Sequence, residues 1–365
     1  MGFLLSRLGR YVIARVMMGV LIALFAVLAS ILLIDLVEQM RTVGTRADIT
    51  LWDALRLTLL KTPMLVEQTL PFVVLAGVMM SIIGLNRSSE LVAMRASGVS
   101  AWRFLAPAVF VGMVLGVITI TTLNPVGAHL FSTFEDERYD ELSRDNGENA
   151  SGVWIRQGDE DGQVVIHAES VDANGSTLQG ATFMFFEEQQ ESLRFTRRIF
   201  AERAVLRPGF WQLANLTEAT PGGRPVRHEN LAIPTTLDAT EMIDRFVTPA
   251  SLSFWQLPLF IHEARAAGFA PTRYELKWQT LLAYPLLLAA MAALGAAFSL
   301  QLQRLGNLAQ WGAAGVGIGL FLFFYAQLAG AFAMTQTVPA AVAAWSAPFA
   351  GMFIALALVA FLEDG

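Results

Sequence analysis

The chain of 365 residues contains no cysteine. Disulfides, zinc–thiolate centres and cysteine nucleophiles are thereby excluded. There is no G-x-x-x-x-G-K-[ST] phosphate loop either, so the chain is not its own P-loop ATPase. Neither H-E-x-x-H nor G-x-S-x-G occurs, and the four histidines, His129, His167, His228 and His262, are isolated from one another. A metal site needs three or four convergent donors, so these side chains read as surface or packing residues, and no metal, cofactor or catalytic residue is expected. Charge is scarce as well. Only 15% of the residues are charged against 55% hydrophobic, well outside the balance of a soluble domain.

The hydrophobic excess is concentrated in long uncharged runs: Val16–Ile34, Met64–Leu85, Phe104–Leu123, Leu281–Leu300, Trp311–Met334 and Val338–Leu362. A helix rises ~1.5 Å per residue, so about 20 apolar residues span the hydrocarbon of a bilayer. Six transmembrane helices are therefore expected. Glu67 is the one ionisable residue in these runs. Intramembrane ionisable groups mark ion and proton pathways, and their scarcity disfavours a proton-driven transporter. Arg7, Arg10 and Arg15 ahead of the first run imitate a signal peptide. A cleavable apolar core is about 7–15 residues long, however, and this one continues to Ile34, which reads as a retained first helix.

Between Leu123 and Lys277 the character changes. Residues 124–274 hold 22 of the 31 acidic and 13 of the 25 basic residues, a net charge of −9 that leaves the remainder at +3. An acidic insert in a mildly basic membrane body fits a domain on the outer side of a bacterial inner membrane. Basic residues favour the cytoplasmic side in short loops, whereas long domains cross regardless of charge. If the spans alternate, Arg7, Arg10, Arg15, Arg87, Arg95, Arg103 and Arg304 lie on one side. Arg41, Arg46, Arg56 and Lys61 lie on the other, with Arg273 and Lys277 at the foot of the fourth span. An even number of spans puts both termini in the cytoplasm.

The insert reads as β. Gly152–Arg156, Val164–Val171, Thr182–Phe186, Arg194–Arg207 and Phe210–Leu216 are short runs rich in β-branched and aromatic residues. Turn chemistry at Gly158–Gly162, Asn174-Gly175, Pro208-Gly209 and Pro221–Gly223 separates them. The fold expected is membrane α-helical with an inserted β domain: six transmembrane helices, three and three, around an extracytoplasmic β-jelly-roll-like domain. Its domains are residues 1–123 with helices one to three, 124–274 with the β domain and helical flanks at Phe131–Leu142 and Trp255–Ala267, and 275–365 with helices four to six. Pro258 falls in the first turns of the second flank, where proline is tolerated. Asp48–Lys61 looks like an amphipathic outer-surface helix starting after Thr50.

The segment Asn86–Gly98 is the most informative stretch. Asn86 or Ser88 can cap a short helix, Glu90 sits in its first turn, and Gly98 can end it. Leu91 and Met94, with Val92 nearby, give it an apolar face. So short a helix needs something to pack on. Two readings stand side by side here: a connector on the membrane surface, and a coupling helix that docks into an ATPase.

Arg87–Gly98 resembles the S-E-L-x-x-M-x-A-S-G stretch of the lipopolysaccharide export permeases, the LptF/LptG family. Arg10-Tyr11 at the first span, Pro63 and Pro71 around the start of the second, and Arg273-Tyr274-Glu275-Leu276 before the fourth agree in order and spacing. Leu36–Arg41 and Ser89–Gly98 look closer to LptG than to LptF. The resemblance covers the whole three-plus-three layout.

It implies a permease subunit of an ABC transporter, without ATP hydrolysis of its own, that extracts lipopolysaccharide from the inner membrane of a Gram-negative cell. The implied partners are an LptF-type second permease, an LptB-type ATPase dimer that binds the ATP, LptC-type and LptA-type periplasmic bridge proteins, and lipopolysaccharide; nucleic acid is not among them. Arg87, Glu90, Leu91, Met94 and Arg95 become ATPase-coupling residues, with Glu90 in an ion pair and Leu91 and Met94 in a groove of the ATPase. Arg41 and Arg46 become candidates for the lipid head group, although Asp35 stands where some LptG proteins carry lysine. Val165, Phe183, Phe185, Phe195 and Phe200 become candidates for an acyl-chain path, or else are simply the core of the β domain. The alternatives are an LptF paralogue, another ABC lipid or lipoprotein exporter, a membrane scaffold that uses its β domain for protein contacts, and, last, a membrane-embedded enzyme.

Overall fold

Thr50 starts the second helix as the sequence indicates. Its hydroxyl accepts from the Asp53 backbone N–H at 3.3 Å while its own N–H donates to the Asp53 carboxylate at 3.1 Å, a capping box. The computed structural model describes residues 6–42, 50–145, 153–159, 162–172, 177–189, 192–207, 209–235, 248–266, 270–305 and 308–364. Arg46, Asp48, Gly152, residues 160–161, the Asn174-Gly175 turn, Pro208 and Ala267 lie outside the described residues.

The helices are α1 (Arg7–Thr42), α2 (Leu51–Arg87), α3 (Glu90–Ala96), α4 (Ala101–Ile118) and α5 (Asn124–Asp145), then α6 (Leu257–Ala266), α7 (Thr272–Leu305), α8 (Leu308–Met334) and α9 (Ala340–Asp364). Among the described residues six helical stretches are long and apolar enough to cross a membrane, one in α1, one in α2, one in α4 with α5, and one in each of α7, α8 and α9. Two expected boundaries move. The anticipated surface helix at Asp48–Lys61 is not separate, because α2 runs unbroken from Leu51 through Pro63 and Pro71. The anticipated flank at Phe131–Leu142 is likewise the continuation of the third span, joined to it by a π-helical turn at Thr119–Leu123. Pro125 lacks the N–H that the Thr121 carbonyl would receive in a regular helix, and the π turn sits at that point.

The chain divides into two compact units. One comprises Met1–Glu141, Ser253–Leu257 and Thr272–Gly365; the other comprises Leu142–Leu252 and Pro258–Pro271. In the membrane unit α7 is central, with 78% of its apolar window buried against 17% for α1 and for α8. Its buried alanines, among them Ala289, Ala293 and Ala297, let neighbouring backbones come close. Glycines do the same at the crossings. A Cβ on Gly112 would lie 2.5 Å from the Leu288 carbonyl oxygen, and one on Gly116 would lie 2.4 Å from Pro285 Cα. Of the glycines in α8, Gly315 and Gly319 face Met79 and Leu75 of α2, while Gly312 and Gly317 face open space.

The second unit holds one antiparallel sheet: β1 (Val153–Asp159), β2 (Gly162–Ala168), β3 (Ser170–Val171), β4 (Thr177–Gln189), β5 (Ser192–Arg207), β6 (Phe210–Ala219) and β7 (Val226–Pro234). Its order is β1-β2-β4-β5-β6-β7 with β3 also on β4. The inserted β domain is thus a meander among the described residues, in which, β3 apart, strands consecutive in sequence lie side by side. Strand β7 was not anticipated.

Side chains alternate between faces along a strand, yet the buried residues of three strands shift by one position at the same level. Leu178, Ala204 and Leu213 are buried on one side of this level; Ala181, Ala201 and Leu216 are buried on the other. Gly180 (φ +60°) and Asn215 (φ +51°) occupy the level, and the Asn215 amide donates to the Glu202 carboxylate at 2.9 Å. Both left-handed residues stand at the level of Glu202 in β5, so the shift falls at one place in all three strands.

Candidate functional site

Helix α3 follows Ser89, a left-handed residue (φ +60°) that sets it off from α2. It ends in a Schellman motif. Val99 N–H donates to the Met94 carbonyl and Gly98 N–H to the Arg95 carbonyl, with Gly98 at φ +88°. A side chain at Gly98 would meet nothing within 4 Å, so only backbone strain opposes one. Gly98→Ala should cost about 1–2 kcal/mol, and thermal unfolding of the purified protein should show Gly98→Asn as the milder change.

Glu90, the first residue of α3, points back to α1. The Tyr11 hydroxyl donates to its carboxylate at 2.5 Å, an Arg15 guanidinium nitrogen lies 3.7 Å away, and Arg15 Nε donates to the Tyr11 hydroxyl at 3.1 Å. The bond from Tyr11, and after it one from Ser88, hold the Glu90 carboxyl below its ordinary range. The contact is therefore complete at neutral pH and is lost as pH falls through that depressed value.

The other coupling candidates divide. Arg87 and Arg95 are exposed and Met94 is half-buried. Leu91 is 0% exposed and belongs to this chain's own core with Leu85, Ala101 and Leu105. The expectation that Leu91 fills a partner's groove does not fit this position; the apolar side chain that α3 turns outward is Val92.

At the opposite end of α1 and α2, each described cation has an acid beside it. Arg41 lies 3.6 Å from Glu38, Arg56 lies 2.6 Å from Glu137, and Lys61 lies 2.7 Å from Asp35. The first two pairs are exposed on the cation side and worth little to stability. Asp35 differs, being only 7% exposed, with Gln39 beside it and the Lys61 ammonium 5.9 Å from the Phe134 ring. Lys61 of α2 thus neutralises Asp35 of α1.

Glu67, the one ionisable group in the apolar runs, is fully partnered. Its carboxylate accepts from Lys277 Nζ at 2.8 Å and from the Asn124 amide at 2.8 Å. The Asn124 oxygen in turn accepts from the Phe254 N–H at 2.8 Å. Pro71 has no N–H for the carbonyl four residues earlier, which is that of Glu67, and the Tyr284 hydroxyl donates to this carbonyl at 2.5 Å instead. The network ties α2, α5 and α7 together. The sequence reading singled out Glu67 but missed Asn124 and Tyr284, although the carbonyl freed by Pro71 was a signal that a donor must be near.

The five acyl-path candidates do not share a surface. Phe183 pairs with Ile166 and Ile199 on the buried face, where it packs edge-on against Trp211. Phe185 follows it on that face under the Arg197 guanidinium, 4.3 Å from its ring, and Phe195 packs on Phe186 at the exposed end. Val165, opposite Met184, and Phe200, opposite Thr182, point to the other face. Among the described residues no group of three His, Asp or Glu side chains could hold a metal ion.

A search of curated proteins returned no match. The family description "Lipopolysaccharide export system permease LptF/LptG", in contrast, matches residues 10–360, from Arg10 at the start of α1 into α9. Membrane-length helices on either side of an inserted antiparallel sheet agree with it. The chain belongs to the lipopolysaccharide export permease family LptF/LptG, and is a multi-pass membrane protein of that family.

Proposed function

We propose that this chain is the LptG-type subunit of an ABC exporter that draws lipopolysaccharide out of the inner membrane and passes it to a periplasmic bridge. The family match over residues 10–360 carries this reading. ATP is hydrolysed by an LptB-type dimer that docks on α3, an LptF-type subunit completes the membrane part, and LptC-type and LptA-type proteins receive the lipid. The basic end of the bundle, with Arg7, Arg10, Arg15, Arg87, Arg95 and Arg103 against Glu90, supports a cytoplasmic position for α3 and both termini. The β domain is then periplasmic.

Energetics supports such a division of labour. Moving an acyl chain from bilayer to water costs up to ~0.8 kcal/mol per CH₂, so a ~12-carbon chain approaches ~10 kcal/mol. A lipid with several chains needs coupled ATP hydrolysis and a sheltered apolar surface, for which Phe183 and Phe185 offer one face. Arg41 is the described candidate for head-group contact.

The test is reconstitution with the ATPase, the second permease and the bridge proteins in vesicles carrying lipopolysaccharide. Glu90→Ala is expected to weaken ATPase association, and Arg41→Glu to reduce lipid-stimulated transport about tenfold, as for loss of a charge-assisted contact. Full transport by both variants would refute these assignments.

A further inference from the structure

Resting on the coupling role proposed for α3, we propose that Tyr11 is a positioning residue that delivers the movement of α3 to α1, which then turns about its crossing with α2. Three observations combine. First, Glu90 is held by α1 itself, through the Tyr11 hydroxyl at 2.5 Å and Arg15 at 3.7 Å. A pull on α3 is a pull on the start of α1.

Second, α1 and α2 touch backbone to backbone at one level. A Cβ on Gly19 would lie 2.4 Å from the Gly77 carbonyl oxygen, and one on Gly77 would lie 2.5 Å from Val20 Cα. The Ser81 hydroxyl is 2.9 Å from the Arg15 carbonyl oxygen and 2.8 Å from that of Gly77. This contact is a fulcrum. Third, the two arms of α1 are seated differently. Val12, Val16, Val20 and Ala23 are buried, but beyond Ala23 the buried residues of α1 are Asp35 and Gln39 alone among those described. The long arm is apolar, little covered, and tied to α2 through the Asp35–Lys61 pair.

Tyr11 lies eight residues before Gly19 and Asp35 sixteen after it, about 12 Å and about 24 Å along a helix that rises ~1.5 Å per residue. Helix α1 contains no proline to absorb the motion in a kink. A displacement at Tyr11 therefore reappears at Asp35 about twofold larger and in the opposite sense. It pulls the carboxylate away from Lys61 and frees that ammonium at the end of the bundle where Arg41 also lies. The Asp35–Lys61 pair is the closed state of the device.

The experiment uses the full complex. The chain has no native cysteine, so Val37→Cys and Leu59→Cys, both at exposed positions, accept a pair of spin labels across α1 and α2. A non-hydrolysable nucleotide should change the distance between the labels. With Tyr11→Phe the ATPase should copurify as before, the nucleotide-dependent change should vanish, and lipid released per ATP should fall at least about tenfold, as for loss of one hydrogen bond to a charged group. Arg15→Gln, which leaves the Tyr11–Glu90 bond in place, should lose less. An unchanged distance shift and an unchanged transport ratio in Tyr11→Phe would overturn the proposal. Failure of the ATPase to associate with the unmodified chain would overturn the function on which it rests as well.

Discussion

Glu67→Ala should destabilise the protein by about 3–5 kcal/mol, the cost of leaving one member of a buried ion pair without its partner. The Glu67 side chain is 12% exposed and Lys277 27%, so water replaces little of what is lost. The variant strands the Lys277 ammonium and the Asn124 amide together, and the Asn124 bond to the Phe254 backbone loses its anchor. The same change leaves the Tyr284 bond to the residue-67 carbonyl in place, since that acceptor is backbone. Thermal unfolding in detergent or nanodiscs, followed by yield of monodisperse protein, measures the effect. Removing both charges as Glu67→Leu with Lys277→Met should recover most of the loss, because a buried ion pair contributes little over apolar residues of similar volume. A single variant as stable as the parent would show that the network does not hold these helices together.

The second large effect is expected at the crossing of α1 and α2. Gly77→Leu places a side chain where a Cβ already lies 2.5 Å from Val20 Cα and 2.7 Å from Val20 N. Carbon atoms in contact prefer about 3.5–4.0 Å, and a backbone atom cannot rotate away as a side chain does. The helices must separate by more than about 1 Å, which loosens the seating of Val12, Val16 and Val20 in the core that α1 shares with α2. Overpacking of this kind costs about 1–3 kcal/mol and sometimes more. The hydrogen bond from Ser81 across to the Arg15 carbonyl would be lost with it. Gly84→Ala on the same helix is the matched control. Nothing lies within 4 Å of a Cβ there, and helix propensity should make that variant more stable by about 1 kcal/mol or neutral. Equal melting temperatures for Gly77→Leu and Gly84→Ala would refute the tight crossing.

Much of the architecture is legible along the chain because it depends on local composition. Six apolar runs predict six membrane-length helices, since hydrocarbon thickness sets a length that the sequence displays directly. The β insert is announced by its change of charge and its turn residues. Thr50 and Gly98 mark helix ends through chemistry confined to a few neighbouring residues. Composition says less about where helices continue. The apolar run beginning at Met64 reports the hydrocarbon, whereas α2 begins at Leu51 because of its cap and because Pro63 removes only one hydrogen bond. Strand β7 escapes notice for the converse reason. Its residues are mostly exposed and alternate only over Leu231–Pro234; pairing with β6 makes them a strand.

The candidate site was legible in part. Glu90 and Gly98 stand out in the sequence, but a seven-residue helix with apolar side chains at adjacent positions has no unambiguous inner face. Only packing against Leu85 and Leu105 decided that Leu91 turns in and Val92 out. Whether Val165 or Phe200 can share a surface with Phe183 depends on strand register, which sets Val165 against Met184 and Phe200 against Thr182.

By itself, then, the sequence determined the number of membrane helices, the place of the β domain, the absence of an ATPase motif and the family. Tertiary structure decided the partners of the charged groups: Tyr11 with Glu90, Asp35 with Lys61, and Glu67 with Lys277. These pairs are separated by 79, 26 and 210 residues. Local rules of spacing do not reach across such intervals. Each pair exists because packing carries two helices to the same level of the bundle, and for Asp35 and Glu67 the charge so placed is shielded from water and must be neutralised there.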